Sequence, residues 1–526
     1  MPARACHSRW GKSHSTFHER GLLMAHFEST RRDVLKGAAA LAGSAALCVG
    51  ASQALADEAA GSEFDKQTDV LVLGAGAGGC YAANFAMQQG ASVIVVEAAS
   101  KIGGTAILSG GFYHTWDIDA DNVDEKLASA DPSRRRLYME KWAEVRDWTL
   151  ANEALGASEL DMDYPLYGAH LKGFATGGAD MAEGRRAFLA ALLDGAEVIV
   201  DTYFTDLVTD ETGAVLGAVV QGKDGAVMRI GAKSVVIATG SFQNNRGMIE
   251  QHLGRWADNA VCRATTYNTG AGINIALAHG ARMSSGSGHF YGHLNPWPSL
   301  TPTTEEEYEA ADPDVSQGIM GAVQKFSVEG IAVNRNGLRY TDEGPENYVG
   351  DNYLANDSLQ EADGHVYVII DSHEDHAKGL DLIRNAGGVV IDADTVDDLA
   401  DQLQAYKVNP FNLKKTIAEY QEAAEAGATL ELTIPKTAMP TGYLTKLDTP
   451  PFHAVQASAG ISGFYGGIQV TDDCAVLGNG DQVIPNLYAA PMASGGYFYK
   501  EYGGGLALCA TFGAVAGKAA GENAAK

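Results

Sequence analysis

The chain has 526 residues, 46% of them hydrophobic and 15 of them proline, which is enough apolar sequence for two or three domains with buried cores. Its 66 acidic residues against 38 basic ones give a net charge of −28, which disfavours binding to nucleic acid and to anionic membrane surfaces. The six cysteines form no C-x-x-C pair and no spacing is typical of metal ligands, so the sequence contains neither a haem-attachment motif nor an iron–sulfur run, and we predict no metal site.

The N-terminal segment has the pattern of an export signal. Arg31 and Arg32 precede a Gly/Ala-rich run that starts at Gly37 and ends at 54–56 in the small-residue cleavage pattern A-L-A. We predict a twin-arginine export signal over residues 1–56, with a buried amphipathic helix as the alternative, and therefore a periplasmic or extracytoplasmic location. Nothing beyond it is long and apolar enough to span a bilayer, so we expect no membrane span in the mature chain.

The next elements have the order that a dinucleotide requires. An apolar strand at 70–73 leads into the glycine turn 74–79, then a helix, and a second strand at 93–96 that ends at Glu97. Gly74 allows a tight turn, Gly76 lets the backbone approach a pyrophosphate, and Gly79 allows close packing of the helix on the strand. The N-terminus of the helix offers free N–H groups to the phosphates. Glu97 is placed to accept hydrogen bonds from an adenosine ribose.

The chain beyond this unit alternates helical and extended patterns. Residues 117–155 and 185–193 have helical spacing, and strands run from 198 to 220 around a turn at 210–213. Residues 284–313 are rich in Gly, Ser, Pro and aromatic residues, which indicates a domain edge and a wall of a site.

Several motifs in a fixed order identify a family. Lys101-Ile102-Gly103-Gly104-Thr105 and Ser109-Gly110-Gly111 follow the first unit, and three further regions follow at 234–240, at 330–340 ("GIAVNRNGLRY") and at 466–513. Together they resemble the flavoprotein superfamily of fumarate reductase and succinate dehydrogenase, which includes the 3-ketosteroid dehydrogenases. The resemblance covers roughly residues 65–522 and implies FAD, bound without a covalent link because no histidine lies in the 103–105 region.

The resemblance also implies the architecture. We expect an α/β fold with a Rossmann-like FAD-binding domain that is discontinuous in sequence, at 65–283 and 455–526. An α+β clamp, or capping, domain is expected to be inserted between these parts, at 284–454.

The predicted cofactor-binding residues come from the glycine turn, the second motif, the strand that returns to the flavin and the C-terminal region. They are Gly74, Ala75, Gly76, Gly78, Gly79, Glu97, Ala98, Gly103, Gly104, Thr105, Ser109, Gly110, Gly111, Ala238, Thr239, Gly240, Met492, Gly505 and Leu506. One departure from the family pattern is Pro491-Met492, where relatives have a glutamate that contacts the flavin side chain.

The substrate side departs further from dicarboxylate-reducing relatives. Where these have an arginine in the clamp domain, this chain has Phe326 with Lys325 beside it. Their paired histidines are replaced by Ser462 and Gly463, and their C-terminal arginine by Lys500. The paired arginines that would hold two carboxylates bidentately are missing, which argues against a dianion the size of fumarate.

Aromatic residues stand in their place. By the spacing in ketosteroid dehydrogenases, Tyr499 is the tyrosine and Gly503 the N–H that hold the substrate carbonyl, and Tyr502 competes for the role. The alternative is that these tyrosines are core aromatics with a polar tip. Further candidates for the walls of the site follow the second motif or lie in the 284–313 stretch: Tyr113, His114, Trp116, His289, Tyr291 and His293.

The sequence therefore predicts an exported FAD-dependent oxidoreductase that acts on CH–CH groups, with a conjugated, non-dicarboxylate alkene as substrate. An external electron carrier, such as a cytochrome or a quinol-linked protein, would reduce the flavin. Without residues 1–56 the chain has 31 Lys and Arg against 63 Asp and Glu, a net charge of −32, which suits a basic redox partner or plain solubility. The rivals are a fumarate-type reductase that uses Lys325 and Lys500 as cations, and a flavin-binding electron-transfer subunit with a decayed site.

Overall fold

The computed structural model describes residues 64–164, 169–177, 181–298, 304, 306–307, 313–344, 350–374, 376–437 and 445–526. The predicted export signal at 1–56 lies outside these residues. No helix of the described part is long and apolar enough to cross a membrane.

Strands and helices alternate along the chain, as the sequence predicts. The strands are β1 (Lys66–Leu73), β2 (Val93–Val96), β3 (Phe112–His114), β4 (Ser158–Tyr164), β5 (Ala169–Ala175), β6 (Glu197–Ile199), β7 (Thr202–Thr209), β8 (Val215–Gly222), β9 (Val227–Ile237), β10 (Val261–Cys262), β11 (Phe290–Pro296), β12 (Ile331–Val333), β13 (His365–Ile370), β14 (Val390–Ala393), β15 (Phe452–Phe464), β16 (Ala475–Leu477) and β17 (Val483–Ala489). The helices are α1 (Ala77–Met87), α2 (Val123–Lys126), α3 (Pro132–Ala151), α4 (Met181–Leu192), α5 (Arg246–Leu253), α6 (Ala271–Ala278), α7 (Pro313–Glu329), α8 (Gly350–Ser358), α9 (Ala377–Asn385), α10 (Val396–Leu403), α11 (Pro410–Ala426) and α12 (Gly505–Ala524).

The largest sheet has eight strands and confirms the Rossmann-like prediction. Its main path is β16-β17-β9-β1-β2-β6, in which β17, β9, β1, β2 and β6 run parallel to one another, and β8 and β7 extend from β9. The central strand β1 is buried over its last four residues, as expected of a parallel strand covered on both faces. The order in the chain shows that the domain is discontinuous, since β17 comes from the C-terminal part and pairs with β9.

Helices α1 and α12 pack unusually closely because their contact is made of small residues. A Cβ at Gly513 would lie 2.4 Å from the Gly78 carbonyl oxygen, and one at Gly517 would lie 2.0 Å from that of Ala82. No side chain larger than hydrogen fits at either position. The close approach fixes the start of α12 beside the glycine turn that precedes α1.

A six-stranded sheet is built around β15. Strands β11 and β13 both pair with Ala457 and Ser458, so they lie on opposite edges of β15. Strand β14 continues the β11 edge and β10 continues the β13 edge, while β12 pairs with β13. Two hydrophobic clusters, separate from the large core of the FAD-binding sheet, pack with this sheet. The predicted domain boundary at 454/455 falls within β15.

Strand β11 was not predicted. It lies inside the stretch at 284–313, which is expected to be a domain edge and a wall of the site. Its alternation is broken by a glycine and by a register shift between Tyr291 and Gly292, and its partner β15 is far away in sequence. The motif at 330–340 folds into a hairpin, with Asn334 donating from its N–H to the Leu338 carbonyl oxygen at 2.9 Å.

Candidate active site

The first glycine turn brings the backbone to the edge of a cavity without crowding it. Gly74 has φ +111°, and a Cβ there would lie 2.4 Å from the Ala238 carbonyl oxygen, so the position requires glycine. At Gly76 no atom lies within 4 Å of where a Cβ would be. The N–H groups at the start of α1 therefore face open space of a kind that suits a pyrophosphate.

Glu97 is fixed beside this turn by two backbone donors. Its Oε2 accepts a hydrogen bond from the Ala75 N–H at 2.7 Å, and its Oε1 accepts one from the Ala99 N–H at 2.9 Å. Burial raises the pKa of Glu97, and these two donors oppose that effect. Each oxygen keeps a further lone pair, so the carboxylate can still accept from a ribose hydroxyl.

The second motif packs directly on the first. The Gly103 N–H donates to the Ala75 carbonyl oxygen at 2.9 Å, and a Cβ at Gly104 would lie 3.3 Å from the Gly76 Cα. Gly103 and Gly104 both have positive φ, at +128° and +51°. The two motifs thus form one continuous wall.

The cavity bounded by this wall has a volume of about 490 Å³. Fourteen predicted cofactor residues line it: Gly74, Gly76, Gly78, Glu97, Ala98, Gly104, Thr105, Ser109, Ala238, Thr239, Gly240, Met492, Gly505 and Leu506. The cavity is also lined by Tyr291, Tyr502, Ser462 and Gly463, which are residues that the sequence motifs place on the substrate side.

Five predicted cofactor residues do not line the cavity, and for four of them the structure shows a supporting role. The Ala75 N–H donates to Glu97, and the Gly103 N–H connects the second motif to the first, as described above. A Cβ at Gly79 would lie 1.9 Å from the Gly74 carbonyl oxygen, so Gly79 permits the packing of α1. Gly111 has φ +73° and lies against the Thr176 carbonyl oxygen, while Gly110 has no contact that explains its place in the motif.

A polar network on the cavity wall was not predicted. Asn268 donates from Nδ2 to the Gln243 Oε1 at 3.1 Å and to the Thr105 Oγ1 at 3.2 Å. Gln243 in turn donates to the Ser462 carbonyl oxygen at 2.6 Å. The network connects the second motif with β15, and only the polar residues at 265–269 after the short strand β10 could have indicated it.

The donor set fits FAD. Glu97 can accept from a ribose, the start of α1 can bind phosphates, and α12 also begins at the cavity, with Gly505, Leu506 and Cys509 on the wall. The open space at Gly76 is the cradle that a side chain would fill. These groups belong to three segments: the glycine turn with the start of α1, the end of β2, and the start of α12, which only the fold brings to one cavity.

Two stacked tyrosines lie on the wall of the cavity, which also includes the aromatic residues Tyr203, Phe204 and Tyr267. The ring centroids of Tyr291 and Tyr502 are 3.5 Å apart and the ring planes differ by 4°. The Tyr502 hydroxyl oxygen accepts a hydrogen bond from the Gly505 N–H at the start of α12. Burial raises the pKa of Tyr502 far above its usual range, which keeps the hydroxyl protonated as a donor.

The other candidates from the 499–503 segment lie away from the cavity. Tyr499 is 39% exposed and its ring lies 5.0 Å from that of His289. Lys500 is exposed at the surface, with its backbone N–H donating to Ser129 Oγ. Gly503 is buried, and its carbonyl oxygen accepts from the Tyr138 hydroxyl at 2.7 Å.

The clamp-side candidates are also outside it. Lys325 lies 3.7 Å from Glu329 on the same helix, and its side chain is 41% exposed. Phe326 is buried and packs edge-on against His376, with ring centroids 5.0 Å apart. Neither residue lines the cavity, because α7 directs Lys325 to solvent and Phe326 into a core that packs with the six-stranded sheet.

Of the six further wall candidates, only Tyr291 lines the cavity. Tyr113 is buried and stacks on Phe174, with centroids 4.6 Å apart. The His114 Nδ1 accepts from the Trp116 N–H at 3.1 Å, and His293 contacts Tyr291 from behind the wall.

The fold and the site together define a flavin-binding oxidoreductase. Residues 69–508 match the FAD binding domain family, and the chain belongs to that family. It is an FAD-dependent enzyme of the fumarate reductase and succinate dehydrogenase flavoprotein superfamily.

The relatives have different substrates in their names. The chain is 27% identical over 482 residues to the probable fumarate reductase Ifc3 of Shewanella frigidimarina, covering 87% of this chain and 75% of that protein. It is 22% identical over 498 residues to the vinyl phenol reductase of Lactiplantibacillus plantarum, covering 87% and 96%. Its fold is similar to that of the 3-ketosteroid-Δ4-(5α)-dehydrogenase of Rhodococcus jostii RHA1, with a TM-score of 0.67, 23% identity, and coverage of 88% and 98%.

Proposed function

We propose that this protein is an exported FAD-dependent ene-reductase or dehydrogenase whose substrate is an alkene conjugated with a carbonyl or an aromatic ring, and not a dicarboxylate. When bound, the flavin supplies the hydride chemistry. The protein supplies donors for the charge that develops on the conjugated group and a proton for the second carbon. An external electron carrier completes the cycle.

The observation that carries the proposal is the chemistry of the cavity wall. Among the described residues that line it, there is no arginine, lysine or histidine, and Glu97 is the one charged side chain. Tyr291, Tyr502 and Met492 provide aromatic and apolar surface instead. On the substrate side of this cavity, formed by Tyr291, Tyr502, Ser462 and Gly463, a carboxylate would lose its hydration without gaining a cation from the described lining residues, which favours a flat, weakly charged substrate. The vinyl phenol reductase relative acts, by its name, on an alkene of this kind.

One observation favours the rival function, a fumarate-type reductase. The guanidinium of Arg263 donates from Nη1 to Ser462 Oγ at 3.2 Å, and Ser462 lines the cavity. A cation is therefore one side chain away from the wall, at the place where dicarboxylate-reducing relatives have histidines. The lysines named for this rival, Lys325 and Lys500, lie outside the cavity.

The test is anaerobic reoxidation of the dithionite-reduced holoprotein, followed by flavin absorbance. The panel contains fumarate, simple enones, cinnamate-like and urocanate-like acids, a vinyl phenol and a steroid enone. We expect a conjugated aromatic or enone compound to reoxidise the flavin faster than fumarate does. If fumarate reoxidises the flavin as fast as the best compound does, the fumarate-type reductase is favoured. Arg263→Leu should then raise the KM for fumarate. Reoxidation by no alkene at all would favour an electron-transfer subunit.

A further inference from the structure

A chain of two hydrogen bonds leads from the cavity wall into the protein beside the six-stranded sheet. The Tyr291 hydroxyl lies 2.9 Å from His293 Nε2, and His293 Nδ1 lies 2.8 Å from Gln324 Nε2. His293 is 8% exposed and Gln324 is 4% exposed. Of the three residues only Tyr291 lines the cavity.

The fold explains why these residues meet. Tyr291 and His293 both lie on β11, and with the register shift between Tyr291 and Gly292 their rings meet edge-on, with centroids 4.9 Å apart. Between them, the Gly292 N–H donates to Asn352 Oδ1 at 3.0 Å, which attaches the strand to α8. Gln324 comes from α7, which packs on β11. The position of the histidine ring is thus fixed by elements that are distant in sequence.

The order of donors and acceptors follows from the amide of Gln324. An amide nitrogen can only donate, so His293 Nδ1 accepts and the neutral ring carries its proton on Nε2. That N–H is directed at the Tyr291 oxygen. The Tyr291 side chain also hydrogen-bonds that of Tyr502, and any negative charge on the Tyr291 oxygen is stabilised by the His293 N–H.

We propose that Tyr291 is the proton donor of the reaction and that His293, oriented by Gln324, is the positioning residue that stabilises the tyrosinate. The proposal rests on the proposed function and goes beyond it by separating two roles. Tyr502 donates to the conjugated group on which charge develops, and Tyr291, stacked on it, protonates the second carbon of the double bond.

The step balances in atoms and electrons. When bound and reduced, the flavin would supply a hydride, one proton with two electrons, for the far carbon of the double bond. The Tyr291 O–H bond breaks and a C–H bond forms at the other carbon, so the alkene is reduced by two hydrogens. The tyrosinate that remains accepts the His293 N–H and regains a proton from water when the product leaves.

The first experiment compares Tyr291→Phe with Tyr367→Phe in turnover and in product labelling. Tyr367 is a matched control, because its buried hydroxyl donates to the Tyr406 carbonyl oxygen at 3.2 Å and it does not line the cavity. We expect Tyr291→Phe to lower turnover by roughly 10²–10⁴-fold, the range for a lost general acid, at normal FAD content. In D2O the wild type should place deuterium on one face of the protonated carbon, and Tyr291→Phe should lose that preference.

The second experiment tests the positioning role of His293. His293→Ala should lower kcat by about 10–100-fold, which corresponds to one hydrogen bond to a charged group, with little change in KM. Added imidazole should restore part of the rate. A variant whose defect is merely structural would not respond to imidazole in this way. ¹⁵N spectra of the resting holoprotein should show the His293 proton on Nε2, and Gln324→Leu should remove that preference.

The outcomes separate this proposal from the proposed function. If the wild-type flavin is reoxidised by no alkene, both fail. If the wild type is reoxidised while Tyr291→Phe keeps its rate and its one-sided deuterium, only the role of Tyr291 is overturned. A His293 proton on Nδ1, or an His293→Ala variant that imidazole does not rescue, overturns the role of His293.

Discussion

The ring of Tyr291 lies parallel to the ring of Tyr502, with centroids 3.5 Å apart, although the two residues are separated by more than two hundred positions in the chain. Tyr291 belongs to β11 in the six-stranded sheet, and Tyr502 belongs to the segment that leads into α12. The aromatic wall of the cavity is therefore shared by the two halves of the fold. A change in the packing of either half would separate the two hydroxyl groups.

Tyr502→Phe should lower hydride transfer to the alkene by roughly 10²–10³-fold, because a donor aimed at developing charge acts mainly in the transition state. Substrate affinity should change far less. Stopped-flow reoxidation of the reduced enzyme measures the rate directly. Tyr488→Phe, at another buried tyrosine that does not line the cavity, serves as the control. A normal rate in Tyr502→Phe with FAD retained would make Tyr502 a wall residue only.

Gly76→Val should give a folded protein without FAD. The backbone at Gly76, with φ −76° and ψ −176°, is open to any residue, and no atom lies within 4 Å of a Cβ there. The side chain would therefore occupy cofactor space without straining the fold. Flavin absorbance and circular dichroism check the two halves of this prediction.

The matched control is Gly247→Val, an exposed helical position away from the cavity, which should keep its flavin. In the wild type, acid precipitation should release all of the yellow colour, because we predict FAD without a covalent link. Colour that stays in the pellet would contradict the non-covalent prediction. A yellow Gly76→Val protein would contradict the assignment of the glycine turn.

His114→Asn should make the fold less sensitive to acid. Burial lowers the pKa of His114 to about 4, and its Nδ1 accepts the Trp116 N–H, which a protonated ring could not do. Between about pH 6.5 and pH 4 the unfolded chain binds a proton that the folded chain does not, so stability falls as the pH falls. The loss approaches roughly 3 kcal/mol at pH 4, at about 1.4 kcal/mol for each pKa unit.

Asparagine can keep the acceptor and cannot titrate, so the free energy of unfolding of His114→Asn should fall less than that of the wild type over this range. His170 is the control with the opposite sign. Its pKa is raised by hydrogen bonds to Asp163 and Asp161, so its contribution is present in acid and is lost as the pH rises. Equal acid sensitivity in His114→Asn and the wild type would contradict the prediction for His114.

The double change Arg31→Lys/Arg32→Lys should leave the protein in the cytoplasm, because the export receptor requires both arginines. Cell fractionation and immunoblotting measure the distribution. Arg4→Lys/Arg9→Lys, at two arginines outside the predicted motif, should not change export. Unchanged export in the Arg31/Arg32 variant would show that residues 1–56 are not a twin-arginine signal.

The parts of the site that depend on local backbone geometry were predictable. Gly76 and Gly79 have their roles because of geometry within a short strand-turn-helix unit, and Glu97 lies at the end of the next strand, whereas Gly74 also lies against the distant Ala238 carbonyl oxygen. The order of strand, glycine turn, helix, strand and acid in the sequence therefore indicates these features. The second motif joins the first through Gly103, again over a short distance in sequence.

The catalytic side was less predictable, because it depends on the direction of side chains. The spacing used in the sequence prediction selects Tyr499, but the chain turns before α12, with φ +96° at Gly504, and Tyr502 lines the cavity. The role of Tyr291 depends on β11, whose pattern is broken by Gly292 and whose partner strand is remote. No count of residues along the chain encodes either orientation.

Strand β15 has a consequence for engineering this scaffold. It begins among the other strands of the six-stranded sheet, and near its end Ser462 and Gly463 lie on the cavity wall. A graft that replaces residues 284–454 would cut this strand near its start. The grafted strands would then have to pair with the remainder of β15, which comes from the original chain. A chimaera made to exchange substrate preference should instead carry the whole strand, with junctions before Phe452 and after Phe464, so that the recognition surface is inherited together with the framework that shapes it.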